Sequence, residues 1–326
     1  MIAEKIGYSL GPLLSMREVL ACAKMADLHR NVDSLWVPES WGRESFATLG
    51  AISQVTKNVR LGTSIVSIYS RTPATVAMAA TTLDMLSGNR TIVGLGASTA
   101  AIVENWHGLK FEKPASRMRE FVECVKLMAS GDKVNYSGKF FKANNFKILH
   151  QPQRKQIPIF MAAVNKKMVS LASELADGVL LYLRPLEELK KTASGLKQTT
   201  KGRSFEIVCS FICAISNKEP EKARERAAKT LAFYVSAGKY YGKFLSENGF
   251  RSDVEHITSE YVGGGADAAA KFVSDKMLDS LAICGSGEDC RKSLARFVSA
   301  GITLPIIQVN PVDDSESSFR EMLSTF

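Results

Sequence analysis

Short apolar runs alternate with helical patterns from one end of the chain to the other. Runs at 6–10, 34–38, 59–68, 91–96, 157–162, 178–182, 205–215 and 302–309 have the length and bounding turn residues of buried strands. Between them the spacing predicts helices. One begins near Ser15, whose hydroxyl can cap a free N–H and which has Glu18 three residues on. Others span 45–56, 114–130, 166–175, 186–196, 286–300 and 315–323, and Thr72-Pro73 opens a further one to 86, stopped by Ser87-Gly88-Asn89. A long mixed-charge helical region covers 219–245, followed by a break at Gly263-Gly264-Gly265 and a short helix to about 275. Residues 133–150 alternate polar and aromatic positions around Ser137-Gly138 and Asn144-Asn145, which predicts an inserted β-hairpin.

Eight strands, nearly every one followed by a helix, predict an α/β fold of the parallel (β/α)8 TIM-barrel kind, because each parallel connection needs a crossover. Residues 1–326 then form one barrel domain, with the hairpin at about 133–150 and a helical insertion at about 219–275. A doubly wound sheet would carry a glycine-rich phosphate loop at its first strand-helix turn, and residues 7–12 (GYSLGP) do not. Gly94-Leu95-Gly96 is only a GxG, with Thr99 where a third glycine belongs.

Composition narrows the class. With 326 residues, 45% hydrophobic and 23% charged, the chain reads as a water-soluble globular protein. Uncharged stretches such as 91–103 and 300–312 fall short of the roughly 18 residues of a membrane span, so no membrane partner is expected. Glu4 and Lys5 precede no apolar run, which predicts no secretory signal. Six scattered cysteines suit a reducing cytoplasm, and four histidines without i,i+4 pairing offer little to a metal.

Lys and Arg (42) exceed Asp and Glu (33), and no acidic residue lies between Lys133 and Ser173. That segment carries Lys133, Lys139, Lys142, Lys147, Arg154, Lys155, Lys166 and Lys167, interleaved with Tyr136, Phe140, Phe141 and Phe146. Three readings stand: a solvated basic hairpin, a positive rim that steers an anionic substrate or cofactor, and a nucleic-acid groove in which bases stack on the rings. A barrel enzyme with a small-molecule substrate favours the first two, and no nucleic acid is then expected as partner.

In such a barrel the site lies at the strand C-termini. That rule picks out Ser9; Glu39, Ser40 and Trp41; residues 64–70; Gly96, Ala97 and Ser98; residues 162–167; and Tyr182 and Arg184. No nucleophile with a neighbouring base is among them, nor a glycosidase-like carboxylate pair. Small residues and hydroxyls instead let the backbone approach a flat ring or an anion closely, and a cofactor carries the hard chemistry.

The segments LWVPES (35–40), VRLGTSIV (59–66), RTPA (71–74), ATTLDMLSGNR (80–90), VGLGAS (93–98), IPIFMAA (157–163) and LADGV (175–179) resemble the bacterial luciferase-like superfamily, over about residues 5–185. The chain looks most like the branch that uses the deazaflavin coenzyme F420 and includes methylenetetrahydromethanopterin reductase. The resemblance implies a TIM barrel that binds coenzyme F420, with FMN as the alternative, and transfers a hydride between its central ring and a small organic substrate. It further implies a non-prolyl cis peptide at Ser64-Ile65 backing the ring, and Gly96, Ala97, Ser98, Ala162 and Ala163 along the cofactor. Asn165-Lys166 stand where the family usually has Gly-Pro; Lys166 and the N–H groups of its helix would take the cofactor phosphate.

On the substrate side the chain departs from the family. Ser9 stands where the reductase has an acidic residue, and Ser40 where a deazaflavin-dependent sugar phosphate dehydrogenase has histidine, so neither activity carries over directly. Glu39 and His107 remain as candidate catalytic proton donors, Glu39 with a pKa raised beside Trp36 and Trp41. An FMN-dependent monooxygenase and a nucleic-acid-binding barrel are the alternatives. A homodimer is expected, since family members pair through helices near strands two and three, and residues 77–86 offer an apolar face.

Overall fold

The computed structural model describes residues 5–39, 42–150 and 152–326. Its strands are β1 (Ile6–Ser9), β2 (Val32–Val37), β3 (Arg60–Thr63), β4 (Val66–Ser67), β5 (Thr91–Gly96), β6 (Val134–Ser137), β7 (Lys142–Phe146), β8 (Ile159–Ala162), β9 (Gly178–Tyr182), β10 (Glu206–Ile215), β11 (Ala282–Gly285) and β12 (Leu304–Val309). All pairings among them are parallel except the β6–β7 hairpin. The order β1-β2-β3-β5-β8-β9-β10-β12 closes on itself through the β12–β1 pair, giving the eight-stranded barrel that the alternating pattern predicts.

Two layers of side chains fix the barrel. Inside it, Trp36, Ile92, Phe160, Leu180, Val208, Leu304 and Ile306 fill the lumen, with the Trp36 indole N–H donating to Ser34 Oγ at 2.8 Å. Outside, the apolar faces of most helices cover the sheet in one continuous core, and the helical insertion packs on β10 and β11 in a second. The N-terminal mouth is closed by Arg60, which pairs with Asp33 on the adjacent strand at 2.5 Å and with Glu206 on the opposite strand at 2.6 Å. The C-terminal mouth is left for chemistry.

Local signals act where expected. Ser15 and Glu18 form a capping box on the helix Met16–Asp27, Thr72 caps Pro73–Ser87, and Gly88, at φ 67°, ends that helix in the left-handed conformation. Residues 59–68 form two strands rather than one, because the chain turns at Ser64-Ile65. A further parallel strand, β11, lies outside the barrel on β10 and has no counterpart in the sequence reading; its four buried residues follow directly on the helix Asp275–Leu281 without alternation.

The insertion also differs from expectation. It runs through helices Pro220–Ala237, Lys239–Leu245 and Arg251–Ala270. Of the three consecutive glycines only Gly265 leaves the helical region, and a second break lies at Asn248-Gly249, so Gly263 and Gly264 extend the helix instead of ending it.

The hairpin is bound to the barrel. Val134 and Ile148 pack on Ala77, Cys124 and Met128, and Glu120 accepts from the backbone of Lys139, Phe140 and Phe141. Phe141 meets Phe121 edge-on at 5.4 Å, and Arg117 sits over Phe140, Phe141 and Tyr69. The aromatic rings that suggested a nucleic-acid groove are therefore partners of the protein's own residues. The face at 77–86 is likewise largely spent inside the chain: Ala77, Ala80 and Leu83 are buried, and Met78 and Leu86 stay exposed. Among the described residues no helix is long and apolar enough to cross a membrane.

Candidate functional site

A cleft opens at the C-terminal mouth in two chambers. The larger, about 620 Å³, is lined from the barrel by Ser9, Glu39, Ser64, Ile65, Ala162, Tyr182, Ser210 and Gln308, and is roofed by Phe233, Tyr234 and Tyr241 of the insertion. The smaller, about 360 Å³, is lined by Gly96, Ala97, Lys113, Ser116, Asn165 and Lys167 among others. Ile65, Ser98, Thr99, Ala162, Val164 and Tyr241 line both and mark the junction.

At the junction the Ser64-Ile65 peptide is cis. Its neighbours hold it from both sides: the Ser64 N–H donates to Val37 O at 2.9 Å, and Ile65 O accepts from the Glu39 N–H at 3.3 Å. The Ser64 hydroxyl is buried and has no hydrogen-bond partner. An orphaned hydroxyl of this kind costs roughly 1–3 kcal/mol, so it marks a place where a ligand atom belongs. Gly96 lies beneath the Ile65 side chain so closely that an added Cβ would stand 2.6 Å from Ile65 Cδ1.

Glu39 lines the larger chamber, but not as a neutral acid. Its carboxylate takes two hydrogen bonds from Arg71, at 3.1 and 2.7 Å, and one from the Ser45 N–H at 3.1 Å. Burial pushes its pKa up, yet the Arg71 guanidinium and the Ser45 amide outweigh burial and hold the carboxyl below the usual range. The expected raised pKa is thus overturned, and the cause, Arg71, lies 32 residues away in sequence. The sign of the pH dependence follows. A depressed folded pKa gives a stabilisation that is complete above the ordinary carboxylate range and is lost only as pH falls through the folded value. In Arg71→Met only the Ser45 N–H still opposes burial, so we expect a loss of ~1–3 kcal/mol at pH 7 that shrinks toward pH 4, read from thermal unfolding at both pH values. An equal loss at the two would mean that the pair contributes only packing.

His107 is exposed on the turn after the helix Ala100–Asn105 and lines neither chamber, whereas its neighbours Asn105 and Trp106 line the larger one. A turn that exposes one residue and turns the next inward leaves no periodic signal. The expectations on Ser40 and Trp41 fall outside the described residues.

The cofactor residues divide between the chambers. Gly96, Ala97 and Asn165 face the smaller one, Ala163 the larger, and Ser98 and Ala162 both. Asn165 caps the helix Lys166–Leu175 by accepting from the Met168 N–H at 3.0 Å. Lys166 itself turns into a neighbouring pocket with Arg184, Glu188 and Glu247, and it is Lys167 that faces the cleft. Arg184 is buried beneath the loop, donating to Val164 O at 2.6 Å and lying over the Phe244 ring.

Several lining residues went unseen in the sequence. Gln308, Tyr234 and Tyr241 join Tyr182 in one cluster: the Tyr182 hydroxyl donates to Gln308 Oε1 at 2.7 Å, and the rings of Tyr234 and Tyr241 meet Tyr182 edge-on at 5.1 and 5.7 Å. Burial raises the Tyr182 phenol well above its usual pKa, so it stays protonated. Lys113 begins the helix Pro114–Ala129, and Lys139 of the hairpin beside it pushes its ammonium below the usual lysine range. Two cations that close together suit an anion between or beside them.

The profile of the luciferase-like monooxygenase family matches residues 4–304. A protein of Mycobacterium tuberculosis named for coenzyme F420-dependent oxidoreductase activity is 30% identical over 338 residues, covering 93% of this chain and 94% of that protein. The 5,10-methylenetetrahydromethanopterin reductase of Archaeoglobus fulgidus is 29% identical over 329 residues, covering 98% and 97%. Among solved structures, the coenzyme F420-dependent tetrahydromethanopterin reductase from Methanopyrus kandleri has the same fold, with a TM-score of 0.87 at 22% identity over 99% of this chain and 98% of that one.

Proposed function

The chain belongs to the luciferase-like monooxygenase family, and from that premise we propose that it is an oxidoreductase that uses coenzyme F420 to transfer a hydride to or from a small organic substrate. The observation that carries this reading is the division of the cleft at Ile65 into a chamber with two lysines and a chamber without a free cation among its described residues. A deazaflavin has a flat ring and a long anionic tail, so each half of it has a chemically matched half of the cleft. The orphaned Ser64 hydroxyl and the close Gly96–Ile65 contact support a ring seated on the junction.

Bound there, the deazaflavin supplies a two-electron hydride carrier. The protein's share is to position and to exclude water. Ile65 and the backbone around it back one face of the ring. Gly96, Ala97 and Ser98 leave room along one side, Ala162 and Ala163 along another. Lys113, Lys167 and the first amides of the helix Lys166–Leu175 hold the anionic tail. Glu39, ionised and clamped by Arg71, orders the β2 end of the junction through its N–H bond to Ile65 O. The same reading places the enzyme in a reducing cytoplasm, which suits its six free buried thiols, and pairs two copies through the exposed Met78 and Leu86.

An FMN-dependent monooxygenase is the second reading, since the barrel also suits FMN. Its single phosphate needs less positive charge than the smaller chamber offers. Parallel titrations with coenzyme F420, FMN and single-stranded DNA, followed by fluorescence, separate the readings. We expect coenzyme F420 to bind at least about tenfold more tightly than FMN, and the DNA not to compete; tighter binding of FMN would overturn the assignment.

A further inference from the structure

The larger chamber has an unusual charge balance for a site that carries redox chemistry. Among its described lining residues Glu39 is the one carboxylate, no lysine or arginine is present, and Arg71, which it shares with Glu44, already pairs with Glu39 from behind. The remaining polar groups are hydroxyls and amides: Ser9, Ser64, Ser98, Thr99, Asn105, Tyr182, Ser210, Tyr234, Tyr241 and Gln308.

These groups are not spread evenly. Around the closed barrel, β10 stands opposite β3, and β9 and β12 flank β10. Tyr182 ends β9 and Gln308 lies near the end of β12, so their side chains rise from the wall facing the Ser64-Ile65 junction, four strands round the barrel from β3 to β10. The Tyr182 hydroxyl occupies the Gln308 carboxamide oxygen at 2.7 Å, which fixes the amide's orientation; a hydrogen bond to the Tyr234 hydroxyl takes one proton of its NH2 and leaves the other as the donor. Edge-on packing of Tyr234 and Tyr241 holds the Tyr182 ring in place, so the pair is rigid before any ligand arrives.

We propose that Tyr182 and Gln308 are the polar anchor of the substrate half of the cleft, and that they select an uncharged, flat, ring-containing substrate through the carbonyl or imine on which the hydride acts. The inference rests on the functional reading above and deepens it. A carbonyl oxygen or imine nitrogen accepts from the carboxamide NH2 while its ring stacks between the tyrosines and the face of the cofactor ring turned away from Ile65. A carboxylate placed there would be stripped of water with no cation to meet it. An ammonium would find only a carboxylate already committed to Arg71. Both costs fall on the charged ligand alone.

The test uses three aromatic probes of similar size and different charge, benzamide, benzoate and benzylamine, with the protein free of cofactor at pH 7. Dissociation constants come from ligand-observed NMR, and coenzyme F420 affinity is measured separately by fluorescence. Benzamide is expected to bind at least about tenfold more tightly than either charged probe. Tyr182→Phe and Gln308→Leu are each expected to weaken benzamide about tenfold and leave coenzyme F420 affinity within twofold. Gln308→Glu puts a charge on the same wall, and it is expected to reverse the preference in favour of benzylamine, a change that a merely structural role for Gln308 would not produce. Equal binding of the three probes, binding of none of them, or an unchanged preference in Gln308→Glu overturns the proposal. Failure of coenzyme F420 to bind the wild-type protein would instead overturn the cofactor reading, and the probe results stand apart from it.

Discussion

Gly94→Ala is expected to cost about 3 kcal/mol of stability and to lower Tm by roughly 4–5 °C. Strands β3 and β5 lie so close at this point that an added Cβ would stand 1.9 Å from the Thr63 carbonyl oxygen and 2.9 Å from Leu180 Cδ1. The first of these is backbone and cannot rotate away. The same residue is tied to Thr63 by two further contacts: the Thr63 hydroxyl donates to Gly94 O and accepts from the Gly94 N–H, each at 2.8 Å. Relief of the clash therefore requires the two strands to part directly before the Ser64-Ile65 turn. Gly96→Ala, two residues on, gives the informative contrast. There the clash is with the Ile65 side chain, which can swing, so the fold survives with a much smaller drop in Tm. Ile65 then moves into the space assigned to the cofactor ring, and coenzyme F420 affinity is expected to fall at least about tenfold. Thermal unfolding and fluorescence titration of both variants separate the effects, and wild-type Tm in Gly94→Ala would mean that the strands are not held at this distance.

This pair also shows what the sequence could and could not disclose. Strand-helix alternation is a local pattern, repeated eight times, and each helix start at Ser15, Thr72 and Asn165 carries its cap within three residues. The barrel was legible for that reason. Placing the site at the strand ends followed from the barrel rule, and it brought Ser64, Ile65, Ser98, Ala162 and Ala163 to the cleft. The charge state of Glu39 was not legible, because it is set by Arg71 from a different loop. Which of the two adjacent lysines faces the smaller chamber was not legible either: at a helix start, consecutive side chains point about 100° apart, and nothing in Lys166-Lys167 decides it. Gln308, Tyr234 and Tyr241 lie more than 50 residues from Tyr182 in sequence. Only barrel closure and the folding back of the insertion make them neighbours.

Lys167→Glu is expected to weaken coenzyme F420 at least about tenfold, a loss of about 1.4 kcal/mol or more, while Lys166→Glu weakens it less than threefold. Lys167 lines the smaller chamber with Lys113, and behind both stands the N-terminus of the helix Lys166–Leu175. Asn165 occupies the Met168 N–H, and the helix geometry leaves the amides of its first two residues for an outside acceptor. An anionic tail there meets a side-chain cation, a second cation on the opposite helix and the positive end of a dipole. Reversing Lys167 replaces an attraction by a repulsion at the same spot. Reversing Lys166 acts in the neighbouring pocket, outside the chamber assigned to the tail. The difference is electrostatic and should narrow as salt rises from 50 to 500 mM, because exposed charges are screened over about 10 Å at 0.1 M. FMN, with a shorter anionic tail, should lose less than coenzyme F420 on the same substitution. Titrations of both variants with both cofactors at the two salt concentrations decide the point: a larger loss for Lys166→Glu would move the tail to the Arg184 side of the 163–165 loop, and equal losses for FMN and coenzyme F420 would mean that only the first phosphate reaches Lys167.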